Sequence, residues 1–143
     1  MNTEQGTTMN DWLFLDTSGL MCLFDEDDFR HKQANEHFKN AKSLLTTNYI
    51  LAEFVPLAHV RKLKRENALN FLKTLILLPR LELVWINDDY HNQAMELLEN
   101  RLDKTYSLCD TVSFILMHER KITKALTTDK HFKQEGFVRL LEN

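Results

Sequence analysis

The chain has 143 residues, of which 43% are hydrophobic and 10% aromatic, and its formal net charge is −3. This length predicts one domain with a buried core, and the apolar fraction excludes an intrinsically disordered chain. The sequence contains no run of 18 consecutive apolar residues, which excludes a membrane-spanning helix. The nearly balanced charge excludes a globally basic nucleic-acid binder, so a contact with nucleic acid must use a local patch.

The first ten residues differ in composition from the rest of the chain. Residues 1–10 are polar and lack the apolar centre of a signal peptide, so we expect a tail followed by a single domain over residues 11–143.

The two cysteines, Cys22 and Cys109, lie in apolar helical patterns without CxxC spacing. That pattern indicates reduced, buried thiols and a cytoplasmic protein.

Short apolar runs alternate with helical patterns along the rest of the chain. The predicted strands are Trp12–Leu15, Ser43–Thr46, Leu81–Ile86, Lys124–Thr127 and Val138–Leu141. The predicted helices are Ser18–Leu23, Phe29–Ala41, Asn48–Lys64, Glu66–Leu77, Asp88–Leu102 and Leu108–Glu119, with a short helical turn after Asp129. Strands separated by helices of this length predict right-handed βα units, and therefore an α/β fold with a parallel sheet covered on both faces.

Four acidic residues end or interrupt the apolar segments: Asp16, Glu53, Asp110 and Asp129. Asp16 and Asp129 follow predicted strands, and Glu53 lies about one turn into the helix after the second strand. Ligands of open parallel sheets bind outside the carboxyl ends of the strands, so these acids can meet at that edge. Asp110 joins them if its helix begins there too. Carboxylates that converge in apolar surroundings predict a site for a hard cation such as Mg²⁺ or Mn²⁺.

The segments around these acids resemble PIN-domain ribonucleases, and in particular the VapC-type toxins of bacterial toxin–antitoxin pairs. The resemblance is carried by LFLDTS at 13–18, AE at 52–53, DKTYSLCDTVSF at 103–114 and ALTTDKHF at 125–132. It implies a three-layer α/β/α sandwich with a central parallel sheet. It also implies Mg²⁺- or Mn²⁺-dependent hydrolysis of RNA, a cognate antitoxin protein as partner, and a homodimer.

The resemblance assigns all four acids to the catalytic centre. Mg²⁺ is usually held by only one or two direct carboxylates, so we expect Asp16 and Asp110 as direct ligands. Glu53 and Asp129 then act directly or through water, as ligands or by orienting the attacking water.

Further side chains match positions near such a centre. Thr17, Ser18 and Thr128 match flanking hydroxyls that orient ligands or waters. His131, two residues after Asp129, is a candidate for contact with the substrate.

A basic cluster near the end of the third predicted helix is a candidate local patch for nucleic acid. Within residues 59–65 it contains Arg61, Lys62, Lys64 and Arg65 and no acidic residue. Such a cluster can receive the phosphate backbone of RNA or the acids of a partner. Positive charge near a helix carboxyl end is also ordinary, because it complements the helix dipole.

Each acid also has a structural explanation. Asp16 and Asp129 stand where they can cap the following helices, and Ser107 with Asp110 resembles a capping box. Glu53 can instead pair with an arginine or a lysine. The alternative function is therefore a non-catalytic PIN-fold module that binds RNA or protein. A receiver-like phosphotransfer domain is disfavoured, because Asp16 has no acidic neighbour at its strand end.

Two other patterns have simple structural interpretations. The acidic run at residues 25–28 is expected to be a solvated loop before a helix. The aromatic residues, including Phe29 and both tryptophans, are expected in the core.

Overall fold

The structure, a computed structural model, describes residues 11–142, so the predicted tail at 1–10 lies outside the described residues. In this described part of the chain, five strands form one sheet: β1 (Trp12–Leu15), β2 (Ser43–Thr47), β3 (Leu81–Val84), β4 (Lys124–Leu126) and β5 (Val138–Arg139). The helices of the same residues surround it: α1 (Thr17–Phe24), α2 (His31–Asn40), α3 (Asn48–Val60), α4 (Arg65–Ile76), α5 (Asp88–Glu99), α6 (Leu108–Arg120) and α7 (Lys130–Gln134). Within residues 11–142, no helix is long and apolar enough to cross a membrane.

All strands of the sheet are parallel, in the order β3-β2-β1-β4-β5. Right-handed crossovers place α1–α4, which pack on one another, over one face and α5–α7 over the other. This confirms the predicted three-layer α/β/α sandwich. The chain leaves β1 towards β2 and returns on the other side of β1 as β4. The carboxyl ends of β1 and β4 therefore flank the switch point where such sheets bind their ligands.

Helix α3 ends at Val60, four residues before its predicted end. Lys62 adopts a left-handed conformation with φ of 63°. The N–H groups of Lys62 and Leu63 donate to the carbonyls of His59 and Ala58, at 2.9 and 3.0 Å. These bonds satisfy carbonyls at the helix end and turn the chain away.

Strand β3 ends at Val84, two residues before its predicted end. The N–H of Ile86 donates to Asn48 Oδ1 at 2.7 Å instead of joining the sheet. The next residue, Asn87, caps α5 by accepting from the N–H of Tyr90 at 2.9 Å. Local side-chain bonds thus replace the ladder at this point.

The core does not contain every aromatic residue, which corrects the sequence prediction. Trp85 is 71% exposed and Phe29 is 76% exposed. Trp85 lies just beyond the last residue of β3, where the chain has left the sheet. The ring of Phe29 packs under the guanidinium of Arg30, 4.6 Å from the ring centroid.

The acidic run at residues 25–28 is also not simply solvated. The Asp28 side chain is only 4% exposed and pairs with Arg30 at 3.0 Å and with Arg61 at 3.1 Å. Hydrogen bonds from Arg30 hold the pKa of Asp28 well below its usual range. Arg61 also pairs with Asp25, at 2.9 Å. The loop after α1 is therefore fastened to the end of α3.

Helix α1 approaches β4 closely because Gly19 has no side chain. A Cβ built at Gly19 would lie 1.9 Å from the carbonyl oxygen of Leu126. The same close approach brings Ser18 Oγ within 3.1 Å of Thr127 Oγ1. Gly19 thus sets the spacing between the two elements that carry Asp16 and Asp129.

Gly19→Ala should destabilise the protein by at least about 2 kcal/mol, because α1 must move away from the backbone of β4. Urea unfolding of the two proteins measures this difference. Asn70→Ala, which introduces the same residue at an exposed position of α4, is the matched control and should change stability little. A Gly19→Ala variant as stable as the wild type would contradict the close packing.

Candidate active site

Asp16 lies at the carboxyl end of β1 and is 6% exposed. Its Oδ2 accepts hydrogen bonds from Thr127 Oγ1 at 2.7 Å and from Ser18 Oγ at 3.2 Å. It stands at the N-cap position of α1 but makes no side-chain capping bond there. Its carboxylate is therefore directed towards β4 and does not serve as a cap.

Thr127 is fully buried and joins the ends of β1 and β4. Besides donating to Asp16, its Oγ1 accepts from the N–H of Asp129 at 3.0 Å. Thr128 contributes its N–H, which donates to Ser18 Oγ at 2.9 Å. The hydroxyl that contacts Asp16 thus belongs to Thr127, one residue before the predicted Thr128. With two adjacent threonines, sequence alone did not indicate which one faces Asp16.

Asp110 lies at the first turn of α6 and is 8% exposed. Its Oδ2 accepts from the N–H of Ser107 at 3.0 Å, and its own N–H donates to Ser107 Oγ at 3.0 Å. This is the capping box that the sequence suggested. The same Oδ2 also contacts His131 Nδ1 at 2.9 Å, so the capping residue belongs to the acidic cluster as well.

Asp129 and His131 complete one side of the cluster. Asp129 caps α7 by accepting from the N–H of His131 at 2.9 Å. His131 Nδ1 lies 3.3 Å from Asp129 Oδ1, and its Nε2 lies 3.0 Å from Thr105 Oγ1. One ligand atom from each of Asp110, Asp129 and His131 falls within 4.8 Å of the others, a spacing that suits a metal ion.

The sequence suggested His131 only as a substrate contact, whereas its ring lies within hydrogen-bonding distance of Asp110. Its sequence signal is the Asp-x-His spacing at the start of a short helix, which is weak by itself.

Glu53 approaches the same region from α3 and is the most exposed of the four acids. Its Oε1 accepts from Thr17 Oγ1 at 2.8 Å, which confines its side chain beside the start of α1. Within residues 11–142 it forms no ion pair, so the arginine or lysine partner of the structural alternative is not found there. Burial, with the nearby charge of Glu53, raises the pKa of the Cys109 thiol and keeps it protonated.

The cluster carries more negative charge than its surroundings neutralise. Burial raises the pKa of Asp16 to about 7; the charges of Asp110 and Asp129 add to this shift, and the bond from Thr127 opposes it. Burial likewise raises the pKa of Asp110, against the bonds from Ser107 and His131. Among the described residues, no lysine or arginine pairs with any of the four acids. Buried carboxylates of this kind suit a bound cation.

The basic cluster follows the carboxyl end of α3, the helix that carries Glu53. Helices α1 and α3 run side by side, with Thr17 bound to Glu53 at one end and Asp25 bound to Arg61 at the other. Eight residues of helix place Arg61 about 12 Å from Glu53. Between them lies a groove of about 320 Å³ lined by Thr17, Glu53, Pro56, Leu57 and Val60.

Arg61 pairs with Asp25 and Asp28, and in this it differs from the other cations of the cluster. Over residues 11–142, Lys62, Lys64 and Arg65 form no ion pair, and all three are exposed. These three side chains are the ones free to meet an anionic ligand.

This chain is similar in sequence and fold to known proteins. VapC20 of Mycobacterium tuberculosis, a 23S rRNA-specific endonuclease, is 30% identical over 127 residues, which cover 88% of this chain and 95% of VapC20. The crystal structure of VapC20, a sarcin–ricin loop cleaving toxin, matches with a TM-score of 0.80 at 27% identity, over 88% of this chain and 96% of that one.

A more distant structure shares the fold. VapBC2 from Rickettsia felis, bound to a DNA fragment from its promoter, matches with a TM-score of 0.60 at 17% identity, over 90% of this chain and 96% of that one. The sequence matches the PIN domain family over residues 13–138, a range that contains all four acids. The chain therefore belongs to the PIN-domain family.

Proposed function

We propose that this protein is a divalent-metal-dependent endoribonuclease and the toxin of a type II toxin–antitoxin pair. The observation that carries the proposal is the convergence of Asp16, Asp110 and Asp129 at the switch point of the sheet, where no lysine or arginine within residues 11–142 pairs with them. A binding module has no need for buried, mutually repelling carboxylates. Their presence therefore disfavours the non-catalytic alternative.

The donor set fits Mg²⁺ or Mn²⁺, which prefer oxygen ligands. Asp16 and Asp110 are proposed as direct ligands, with Glu53 and Asp129 acting directly or through water. When bound, such an ion supplies a water of lowered pKa and neutralises phosphoryl oxygens.

The neighbouring side chains position these acids. Thr127 and Ser18 both donate to Oδ2 of Asp16 and so orient its carboxylate. Thr17 holds Glu53 from the first residue of α1. His131 holds Asp110 and Asp129 together through one ring nitrogen. The raised pKa of Asp16 means that the cation must compete with a proton for this carboxylate near neutral pH.

The proposed substrate is RNA, acted on in the cytoplasm. Because VapC20 is a 23S rRNA-specific endonuclease that cleaves the sarcin–ricin loop, that loop is the first substrate to test. Lys62, Lys64 and Arg65 lie in the turn after α3 and at the start of α4, beyond Arg61, which is about 12 Å along the helix from Glu53. A few nucleotides span that distance. They are proposed to contact the phosphate backbone away from the cleaved bond. Arg61 contributes less, because it is already paired.

The proposed protein partners are an antitoxin and a second copy of the chain. An antitoxin that covers the acids would also meet the groove beside Glu53, where Pro56, Leu57 and Val60 offer apolar contact. For a homodimer, α4 offers Leu69 and Ile76, which are 41% and 43% exposed and two turns apart on one face of the helix.

Asp110→Asn should abolish cleavage, because it removes a proposed metal ligand while an amide oxygen can still accept the capping bond from Ser107. Loss of an indirect metal contact already lowers activity about 10- to 100-fold, so loss of a direct ligand should exceed that range. Cleavage of a labelled sarcin–ricin hairpin measures the effect, with chelator and with added Mg²⁺ or Mn²⁺. Asp103→Asn, the same charge change at an exposed acid, is the control. Cleavage that persists in excess chelator would refute the metal mechanism.

Asp16→Asn should show whether Asp16 binds the cation or has only a structural role. In chelator, the variant should melt no lower than wild type at pH 7, because it removes a buried charge and keeps an acceptor for Thr127. Saturating Mg²⁺ should raise the wild-type midpoint by about 5–10 °C and the variant's by clearly less. Equal responses to Mg²⁺ would show that Asp16 is not a ligand.

The same pair of proteins gives a pH test. The folded pKa of Asp16 lies above the ordinary value of 3.8, so the folded state binds more protons than the unfolded state between that value and about 7. In chelator, wild-type stability should therefore fall as pH rises through this window. Asp16→Asn should lose less stability over the same range, as measured by urea unfolding at each pH. Parallel curves for the two proteins would contradict the raised pKa.

Reversing Lys64 and Arg65 together to glutamate should weaken RNA binding and flatten its salt dependence by about one to two units of slope. Lys32→Glu with Lys39→Glu makes the same charge change on exposed positions of α2 and should leave the slope nearly unchanged. Binding is measured by fluorescence anisotropy of labelled RNA in chelator, so cleavage does not interfere. If both double variants lose affinity equally, the effect is one of total charge and not of this cluster.

A further inference from the structure

Trp85 is 71% exposed and lies at the same sheet edge as the acids. Phe14 pairs with Leu45 and Thr47 with Val84, so the register places Asp16, Thr47 and Val84 level across β1, β2 and β3. Trp85 is the next residue along the chain. Two strand spacings and one residue of rise place its Cα about 10 Å from that of Asp16.

The backbone on the carboxyl side of Trp85 is held firmly. Ile86 donates its N–H to Asn48 Oδ1 at 2.7 Å, and Asn87 caps α5. Asn48 is also the first residue of α3, the helix that carries Glu53. Trp85 is therefore fixed relative to the acidic site, although its own ring gains little from burial in the fold.

An exposed indole at this position suits a nucleobase. Aromatic side chains stack on bases of single-stranded nucleic acid largely without regard to sequence. Phosphates of a stacked strand are about 3.4 Å apart along its axis, so about 10 Å corresponds to two or three nucleotides. A strand whose phosphate lies at Asp16 can thus present one of its next bases to Trp85.

The charges nearby favour a base over a phosphate. Asp88 and Asp89 are exposed in the first turn of α5, three and four residues after Trp85, and their carboxylates repel the RNA backbone. The backbone contacts proposed for the basic cluster lie beyond the carboxyl end of α3, whereas Trp85 lies near Asn48 at the start of that helix, with Glu53 between them. The two ends of a bound strand would then be held by different means, phosphate contacts on one side and stacking on the other.

We propose that Trp85 is a stacking platform for a base of the RNA substrate, two or three nucleotides from the cleaved phosphodiester. This inference rests on the proposed ribonuclease function and adds a binding residue outside the acids and the basic cluster.

The first test uses the intrinsic fluorescence of Trp85. The chain contains two tryptophans, so Trp12→Phe leaves Trp85 as the sole reporter. A sarcin–ricin hairpin added in chelator should quench this emission as it binds. Trp85→Ala should weaken binding by about 5- to 100-fold, and Trp85→Phe by less, because phenylalanine still stacks. Leu77→Ala is the matched control: Leu77 is 79% exposed but precedes β3, at the opposite edge of the sheet, and its loss should not change affinity.

The second test identifies the stacked base. Single abasic substitutions along the RNA should weaken wild-type binding at one position near the cleaved bond. Trp85→Ala should show no further loss at that position and the usual losses elsewhere, which is the non-additivity expected of direct partners. The salt slope should be the same for wild type and Trp85→Ala, because no phosphate contact is removed.

The proposal is overturned if Trp85→Ala binds RNA as tightly as the wild type, or if no abasic position couples to it. It is equally overturned if Trp85→Ala leaves RNA affinity intact and weakens binding of an antitoxin or of a second copy, since Asp88 and Asp89 would also suit an arginine of a protein partner. Failure of the ribonuclease proposal looks different: the wild type would then not cleave the hairpin with Mg²⁺, whatever the fluorescence shows.

Discussion

The hydrogen bond from Thr127 to Asp16 is the interaction on which the site depends. It joins the carboxyl ends of β1 and β4, with 2.7 Å between Thr127 Oγ1 and Asp16 Oδ2, and both residues are buried. The same hydroxyl accepts from the N–H of Asp129, so one side chain places two of the four acids. Gly19 makes this possible by letting α1 lie against the backbone of β4. Without that close packing, Ser18 Oγ could not lie 3.1 Å from Thr127 Oγ1.

Two of the carboxylates proposed to bind the cation also cap helices. Asp110 forms a capping box with Ser107, and Asp129 caps α7, while both contact His131. The two roles are compatible because a carboxylate has more acceptor capacity than one capping bond uses. Capping fixes each carboxylate with respect to its helix, and such fixed geometry is what a metal site requires. The structural explanations of these acids are thus part of how the site is built.

The surfaces near the ends of α3 and β3 carry different kinds of side chain. Beyond the carboxyl end of α3 lie three cations, Lys62, Lys64 and Arg65, which form no ion pair within residues 11–142. On the side of β3, the same edge exposes Trp85 with Asp88 and Asp89 near it. An extended RNA strand crossing the switch point of the sheet would meet cations first, then the acids, then an aromatic ring. These contacts lie apart because α3 carries the chain away from the sheet edge at Asn48 to the basic cluster, whereas Trp85 stays at that edge, just beyond β3.

The sequence by itself determined the α/β architecture and the order of every element. Alternation of short apolar runs with helical periodicity has few parallel-sheet solutions, and right-handed crossovers reduce them further. Element ends were less predictable because they depend on local bonds. Lys62 in a left-handed conformation ends α3 early, and Asn48 captures the N–H that would have extended β3. Neither event is visible in hydrophobic patterning.

For the candidate site, the sequence singled out the four acids, since carboxylates at the ends of apolar segments are conspicuous. Only the tertiary structure decided which side chains surround them. Thr127 and Thr128 are equivalent in sequence, and only the parallel register turns the first towards Asp16. His131 reaches Asp110 because the loop before α6 returns to the same edge as β4. The sequence predicted Trp85 in the core, but it lies on the surface, because its burial depends on whether β3 continues past Val84. Each of these outcomes rests on contacts between residues far apart in the chain, which no local pattern encodes.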